Sequence, residues 1–283
     1  MAKLRNILSI DIEEVFHAEY ARDVKKSHLS YRAPCNIPFV LDLLREEGAN
    51  ATFFVVGEIA EKFPEVIGMI AKEGHEVAFH SYDHKPLWGK NPKQLETEIE
   101  RFNELLTSMT GVTCLGFRAP SFSLDNKTKW TLEVLETMRI LYDSSVFPAW
   151  TPLYGVSSAL VRPYKPSNDD LTVEDVNGKL WEFPLAVYSL VGLRIPAAGG
   201  FYLRFTPSLV WRAIKKINKL GSPAVVYVHN WELDSETPKL KLNPYKSFVT
   251  YHNIDKTAEL FKNLLREFQF TSFAEYMKSA GMV

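Results

Sequence analysis

The chain is poor in cysteine and close to electrically neutral, and both deficits narrow what it can be. Its two cysteines, Cys35 and Cys114, show no metal-binding or redox spacing and are read as free thiols. A formal net charge of −1 leaves no basic field to hold nucleic acid or anionic lipid, so the expected ligand is neutral or of mixed charge. Long apolar runs are missing too: no stretch approaches the roughly 20 residues of a membrane span. The run Ile7 to Ile10 behind Lys3 and Arg5 falls short of the about 7 to 15 apolar residues of a secretion signal. The chain as given is therefore expected in the cytoplasm. Repeats and low-complexity tracts are also absent.

What is present is enough apolar material for one large core, since 46% of the 283 residues are hydrophobic. It comes in short runs that each stop at a polar residue or glycine. Asn6 to Ile10 stops at Asp11, Ala51 to Val56 at Gly57, and Glu76 to Phe79 at His80. Cys114 to Phe117 stops at Arg118, Leu141-Tyr142 at Asp143, and Ala224 to Val228 at His229. Continuous apolar runs are the pattern of parallel strands buried on both faces. Helical periodicity alternates with them over Ile37 to Glu47, Glu58 to Lys72, Pro92 to Met109, Asn126 to Met138, Pro207 to Leu220 and Asp255 to Glu267. The expected fold is α/β: a distorted (β/α) barrel of seven or eight parallel strands, a class that routinely forms one domain of about 250 residues. Residues 1–283 are read as that single domain. The alternation breaks at about 147–200, where Asn177-Gly178 between alternating runs signals an inserted β-hairpin region. A second irregular piece, Glu232 to Tyr251, is expected to lie over the site as a loop.

Active sites of such barrels sit at the C-terminal ends of the strands, where the ionisable residues above fall. Among them, His80-Ser-Tyr-Asp-His84 places two imidazoles four residues apart, within reach of one divalent ion. Hydrogen bonding at a strand end is the alternative use of such a pair. Ser81 stands where a His-Glu-x-x-His metalloprotease needs its Glu, which argues against a protease. A third ligand is available among the carboxylates of Asp11-Ile-Glu-Glu14.

Asp11-Ile-Glu13, His80 to His84 preceded by Glu73-Gly-His-Glu-Val77, Arg118-Ala-Pro120, Tyr142-Asp-Ser144 and Val228-His-Asn-Trp-Glu232 follow one another in an order that resembles the polysaccharide deacetylases, carbohydrate esterase family four with its NodB-homology domain. The resemblance covers essentially the whole chain. Two late segments, His229-Asn-Trp-Glu232 and Tyr251-His-Asn253, look most like the subgroup found with exopolysaccharide synthesis and export. The resemblance implies a distorted (β/α) barrel, a divalent metal and hydrolysis of an acetyl group, N- or O-linked, from a sugar of an oligo- or polysaccharide.

Roles follow from what that chemistry needs. Glu13, His80 and His84 offer two nitrogens and one oxygen, a set that suits zinc, with cobalt or another divalent ion also accommodated. The family usually has two adjacent aspartates, so Glu14 competes with Glu13 as ligand; strand alternation favours Glu13. Asp11, on the same side of the strand, is the expected general base. Arg118 would hold it ionised and oriented through a charge-assisted bond, monodentate or bidentate, and the backbone N–H of Ser121 would help bind the oxyanion. His229 is the expected general acid, kept protonated by a carboxylate. Asp143 resembles the family residue for that task, but the usual Asp-Trp pair is missing, which leaves Glu232 and Asp234 as alternatives. His17, His28 and His252 are read as surface or supporting residues and His75 as structural. Trp88, Trp150, Phe201, Tyr202 and Trp231 offer flat apolar faces for a sugar, and Ala197 to Gly200 is the candidate substrate-binding loop, its glycines allowing close approach. An allantoinase-like cyclic amide hydrolase and an inactive carbohydrate-binding relative are the competing readings.

Overall fold

Short apolar segments form one parallel sheet in the computed structural model of the chain, which describes residues 4–21, 24 and 29–283. Its strands are β1 (Asn6–Ile12), β2 (Thr52–Val55), β3 (Glu76–Phe79), β4 (Gly116–Phe117), β5 (Tyr142–Asp143) and β6 (Trp181–Glu182), with β9 (Val225–His229) and β10 (Phe270–Thr271) contributed by the second half. The hairpin strands β7 (Val187–Leu190) and β8 (Leu193–Pro196) lie outside it. The sheet path runs β9-β1-β2-β3-β4-β5-β6, with β10 also beside β1, and every pairing in it is parallel. Across the gap from β6 to β9, Ala186 N–H donates to Val225 O at 3.0 Å and Tyr227 N–H to Ala198 O at 3.0 Å. The sheet thus curls into a distorted barrel.

The helices cover its outside: α1 (Ala33–Glu46), α2 (Gly57–Lys62), α3 (Pro64–Lys72), α4 (Pro92–Thr110), α5 (Trp130–Thr137), α6 (Gly200–Phe205), α7 (Pro207–Lys219), α8 (Pro244–Tyr251), α9 (Ile254–Glu267) and α10 (Phe273–Ser279). Their inward stripes join both faces of the strands in a continuous core that includes Ile7, Phe53, Phe79, Leu106, Ile214 and Phe261. The helix starts at Asn91 and Thr206 lie where the sequence places them, each followed by Pro in the first turn, and Asn91 and Gln94 form a capping box.

Three expectations are corrected. The single helix read over Glu58 to Lys72 is two, because Pro64 pushes Phe63 out of helical geometry (φ −136°, ψ 66°). The hairpin assigned to Asn177-Gly178 lies further on, with Val191-Gly192 at its tip, both at positive φ (46° and 79°) as a tight two-residue hairpin turn requires. Asn177-Gly178 does lie in a turn closed by Gly178 N–H to Asp175 O, but the flanking residues Glu174 and Glu182 bridge to Pro166 and Tyr164 rather than to each other. The segment after His229 is a short 3-10 turn and then α8, not a structureless loop.

Candidate active site

Register brings the strand-end residues together. Asp11 on β1 is the Cα partner of His229 on β9, and Phe79 on β3 is that of Phe117 on β4, so His80 and Arg118 follow side by side. Asp11, Glu13, His80, His84 and His229 all line one cavity of about 380 Å³ at the C-terminal end of the strands. Glu13, His80 and His84 are buried, and a ligand atom from each lies within 4.8 Å of the others.

The fit of this trio to a cation can be judged from its polar atoms. His80 Nδ1 is 2.8 Å from Arg118 O and donates to it, which leaves Nε2 as the unprotonated ligand nitrogen. Burial lowers the His80 pKa to about 4, so the ring is neutral, as a ligand must be. Glu13 Oε2 lies 2.5 Å from His84 Nε2, yet it is buried without a hydrogen-bond partner among the described residues. A buried carboxylate oxygen and an imidazole nitrogen this close together are a pair that a shared cation would satisfy. Glu13 Oε1 accepts from Trp231 Nε1 at 2.9 Å, and Glu13 N–H donates to Asn230 Oδ1 at 2.9 Å. Burial would raise the Glu13 pKa, but the imidazoles of His84 and His229 outweigh it and hold the carboxyl well below its ordinary value. Glu14 is turned away: its Oε1 accepts from the N–H groups of Arg32 and Ala33 at the start of α1, and burial raises its pKa to about 7.

The loop carrying the imidazoles is strained and held. Ser81 and His84 have φ of 61° and 54°, a region that costs a residue with a Cβ about 1–3 kcal/mol. Its carbonyls accept from Gly57 and Glu58 at the start of α2, and Tyr82 N–H donates to Glu98 on α4. The buried ammonium of Lys90 ties Ser81, Asp83 and Glu98 together. His17 Nε2 pairs with Glu58 at 2.6 Å, and its ring stacks on His84 at 5.6 Å.

Arg118 is fully buried and reaches Asp11 through Nη1 alone, at 2.7 Å. Of the two forms left open by the sequence, the bond is the monodentate one, because the remaining donors go elsewhere. Nη1 also bonds Ser9 Oγ, Nη2 bonds Ser144 Oγ and Nε bonds Ser144 O. Ser121 lines the cavity with a left-handed backbone (φ 53°), and its hydroxyl donates to Glu19.

His229 has Nδ1 2.8 Å from Glu232 Oε2 and Nε2 3.7 Å from Glu13 Oε1. Burial works to lower its pKa, but the carboxylates of Glu13 and Glu232 prevail and raise it to about 9. Glu232 is itself held at about 2: burial opposes ionisation, and His229 and Arg204 overcome it. Arg204, buried on α6, donates Nη2 to Glu232 Oε1 at 2.9 Å and Nη1 to the carbonyls of Thr250 and His252. Among the three carboxylates left open by the sequence, Glu232 is the one beside His229. Asp234 is bonded to Arg32.

Asp143 is not placed at the imidazole. It is fully buried, accepts from the Ser145 hydroxyl and N–H, and pairs with the buried Glu182 carboxyl. Ser145 Oγ in turn accepts from Ala119 N–H, so Asp143 braces the Arg118-Ala-Pro120 segment. Trp88 is also corrected: it is half exposed, donates to Asp125, and does not line the cavity. Trp150 is exposed and outside the lining as well. Phe201, Tyr202 and Trp231 line the cavity, although the Trp231 indole N–H serves Glu13. Gly199 and Gly200 admit no ligand. A Cβ would overlap the Tyr227 ring at the first and the Glu232 carboxylate at the second, so their lack of a side chain makes room for the residues around His229. His75 bonds Asn50, His252 packs between Phe205 and Phe248, and His28 lies outside the described residues. Arg204 was not found from the sequence, where a lone arginine in an aromatic run carries no signal.

Comparison with known proteins bears on family and fold. Residues 28–139 match the family model described as polysaccharide deacetylase, and residues 144–278 match a domain of unknown function. A peptidoglycan-N-acetylglucosamine deacetylase of Bacillus cereus is 37% identical over 97 residues, 34% of this chain and 35% of that protein. A chitooligosaccharide deacetylase of Azorhizobium caulinodans is 32% identical over 88 residues, 31% of this chain and 42% of that protein. The chain thus matches well under half the length of these curated relatives. A crystal structure of a candidate polysaccharide deacetylase from Mycobacterium smegmatis superposes with a TM-score of 0.62 at 20% identity, over 99% of this chain and 91% of that one, which shows the shared fold. No helix among the described residues is long and apolar enough to cross a membrane.

Proposed function

We propose that this chain, whose residues 28–139 match a polysaccharide deacetylase family model, is a metal-dependent hydrolase that removes acetyl groups from the sugars of an oligo- or polysaccharide. The observation that carries the reading is the convergence of Asp11, the Glu13-His80-His84 trio and His229 on one cavity. Glu13, His80 and His84 would hold the ion, and their two nitrogens and one oxygen favour zinc. When bound, such a cation supplies Lewis acidity, polarising the acetyl carbonyl and acidifying water toward a pKa of about 7.

The chain's own groups do the rest. Asp11, held in place by the buried Arg118 guanidinium, takes the proton of the attacking water. Ser121 N–H donates to the oxyanion that develops on the acetyl oxygen. His229, protonated at Nδ1 toward Glu232 and at Nε2 toward the cavity, gives a proton to the departing sugar nitrogen or oxygen. Arg204 anchors Glu232 and so fixes the imidazole plane. The segments His229 to Glu232 and Tyr251 to Asn253 support a place beside exopolysaccharide synthesis and export.

Acetate release from a panel of N- and O-acetylated saccharides, run beside ring opening of a cyclic amide such as allantoin, tests the reading. Acetate from saccharides supports it; ring opening alone assigns the site to cyclic amides. His229→Ala protein should retain its metal and slow release of a sugar amine by roughly a hundred-fold or more, while an activated aryl acetate, whose leaving group needs no proton, is affected far less. Equal losses on both substrates would remove His229 from the acid role.

A further inference from the structure

The segments that line the cavity are linked to one another by a series of contacts. Glu19, in the turn after β1, accepts from the Ser121 hydroxyl at 2.8 Å. Phe122, next to Ser121, meets Tyr154 edge to face at 5.2 Å. Tyr154 and Tyr202, the latter on α6, interact side by side. From α6, Arg204 donates to Thr250 O at 3.1 Å, and Phe205 packs on Phe248 at 5.7 Å, both partners lying on α8. Tyr245, also on α8, packs edge to face on Tyr20 at 6.1 Å, beside Glu19 where the series began. Each of these segments contributes residues to the cavity lining, with Asp11, Glu13, His80, His84 and His229 lining the same space.

A saccharide unit inside a polymer carries chain on two sides, and both must leave the site. A groove open at two ends permits that, whereas a cavity bounded by linked segments leaves one way in and out. The volume of about 380 Å³ lies near the lower end of the roughly 300–1,000 Å³ of small-molecule pockets, room for a short saccharide and not for a strand passing through. The tyrosines and phenylalanines of the wall set flat apolar faces beside hydroxyls, which suits a pyranose ring with its apolar face and polar rim.

Resting on the deacetylase reading above, we infer that this chain acts on the terminal unit of a saccharide, taken end-on into the cavity, and that the Tyr20–Tyr245 contact is the part of the wall that excludes internal units. The contact is the outermost link available to mutation, since Tyr245 is 66% exposed and its truncation leaves the core intact.

The test uses the full chain loaded with zinc and chitin oligosaccharides from the monosaccharide to the hexamer, labelled at the reducing end with heavy oxygen and sequenced by tandem mass spectrometry. One acetyl group should be lost per chain, always from the same terminal unit, with a rate per chain that does not rise with length. Tyr20→Ala/Tyr245→Ala protein should lose that limit and yield internally deacetylated products. Internal deacetylation by the wild-type protein would overturn the inference while leaving the deacetylase reading in place. End-only products that persist unchanged in the double variant would overturn the role of the tyrosine contact. Failure to release acetate from every member would overturn the deacetylase reading and this inference with it.

Discussion

Asp11→Asn protein is expected to bind its divalent ion nearly as the wild type does and to lose turnover by about a hundred- to ten-thousand-fold, the usual effect of removing a general base. Asn keeps the shape of Asp and can still accept from Arg118 Nη1, which now stands 2.7 Å from Asp11 Oδ1. What it cannot do is take a proton. The substitution also leaves the Arg118 guanidinium, fully buried, without its carboxylate, so some stability should be lost as well. The rate is therefore compared at a temperature where circular dichroism shows both proteins folded and elemental analysis shows both loaded. Wild-type turnover in that comparison would remove Asp11 from the mechanism.

The second large effect is on the metal. His80→Ala/His84→Ala removes both nitrogens of the trio and should reduce bound divalent ion from about one per chain to almost none, with acetate release falling to background. A thermal readout reports the same loss independently of turnover. An ion at 100 times its dissociation constant stabilises a folded protein by about 2.7 kcal/mol, so zinc should raise the melting temperature of the wild type and leave that of the variant where it was. Full metal stoichiometry in the variant would place the ion elsewhere.

Most of the barrel was legible because parallel strands buried on both faces are written as unbroken apolar runs, and β1, β2, β3 and β9 end within two residues of where those runs stop. The two-residue strands β6 and β10 left no such run, since Trp181-Glu182 and Phe270-Thr271 are strands only through their neighbours. Likewise, the site was legible where chemistry sits at a strand end: Asp11, Glu13, His80, Arg118 and His229 each follow or close an apolar run. Glu232 could be named only as one candidate of three, because the choice depends on how the chain turns after β9, where the 3-10 turn brings its carboxylate back to the imidazole three residues before it. Asp143 misled for the opposite reason. It stands at a strand end, but burial with Glu182 turns it to the Ser145–Ala119 brace instead of the cavity. Arg204, Tyr20 and Tyr245 were beyond sequence reasoning altogether, because their significance lies in contacts with segments far along the chain.

The most direct test of the account is acetate release from a chitin oligosaccharide by the wild-type protein, stripped with a chelator and then reloaded with zinc. The account predicts release by the purified protein, loss of it on stripping and recovery on addition of the ion, with the His80→Ala/His84→Ala protein inactive at every step. Undiminished acetate release by fully stripped protein, or by the double variant, would contradict it.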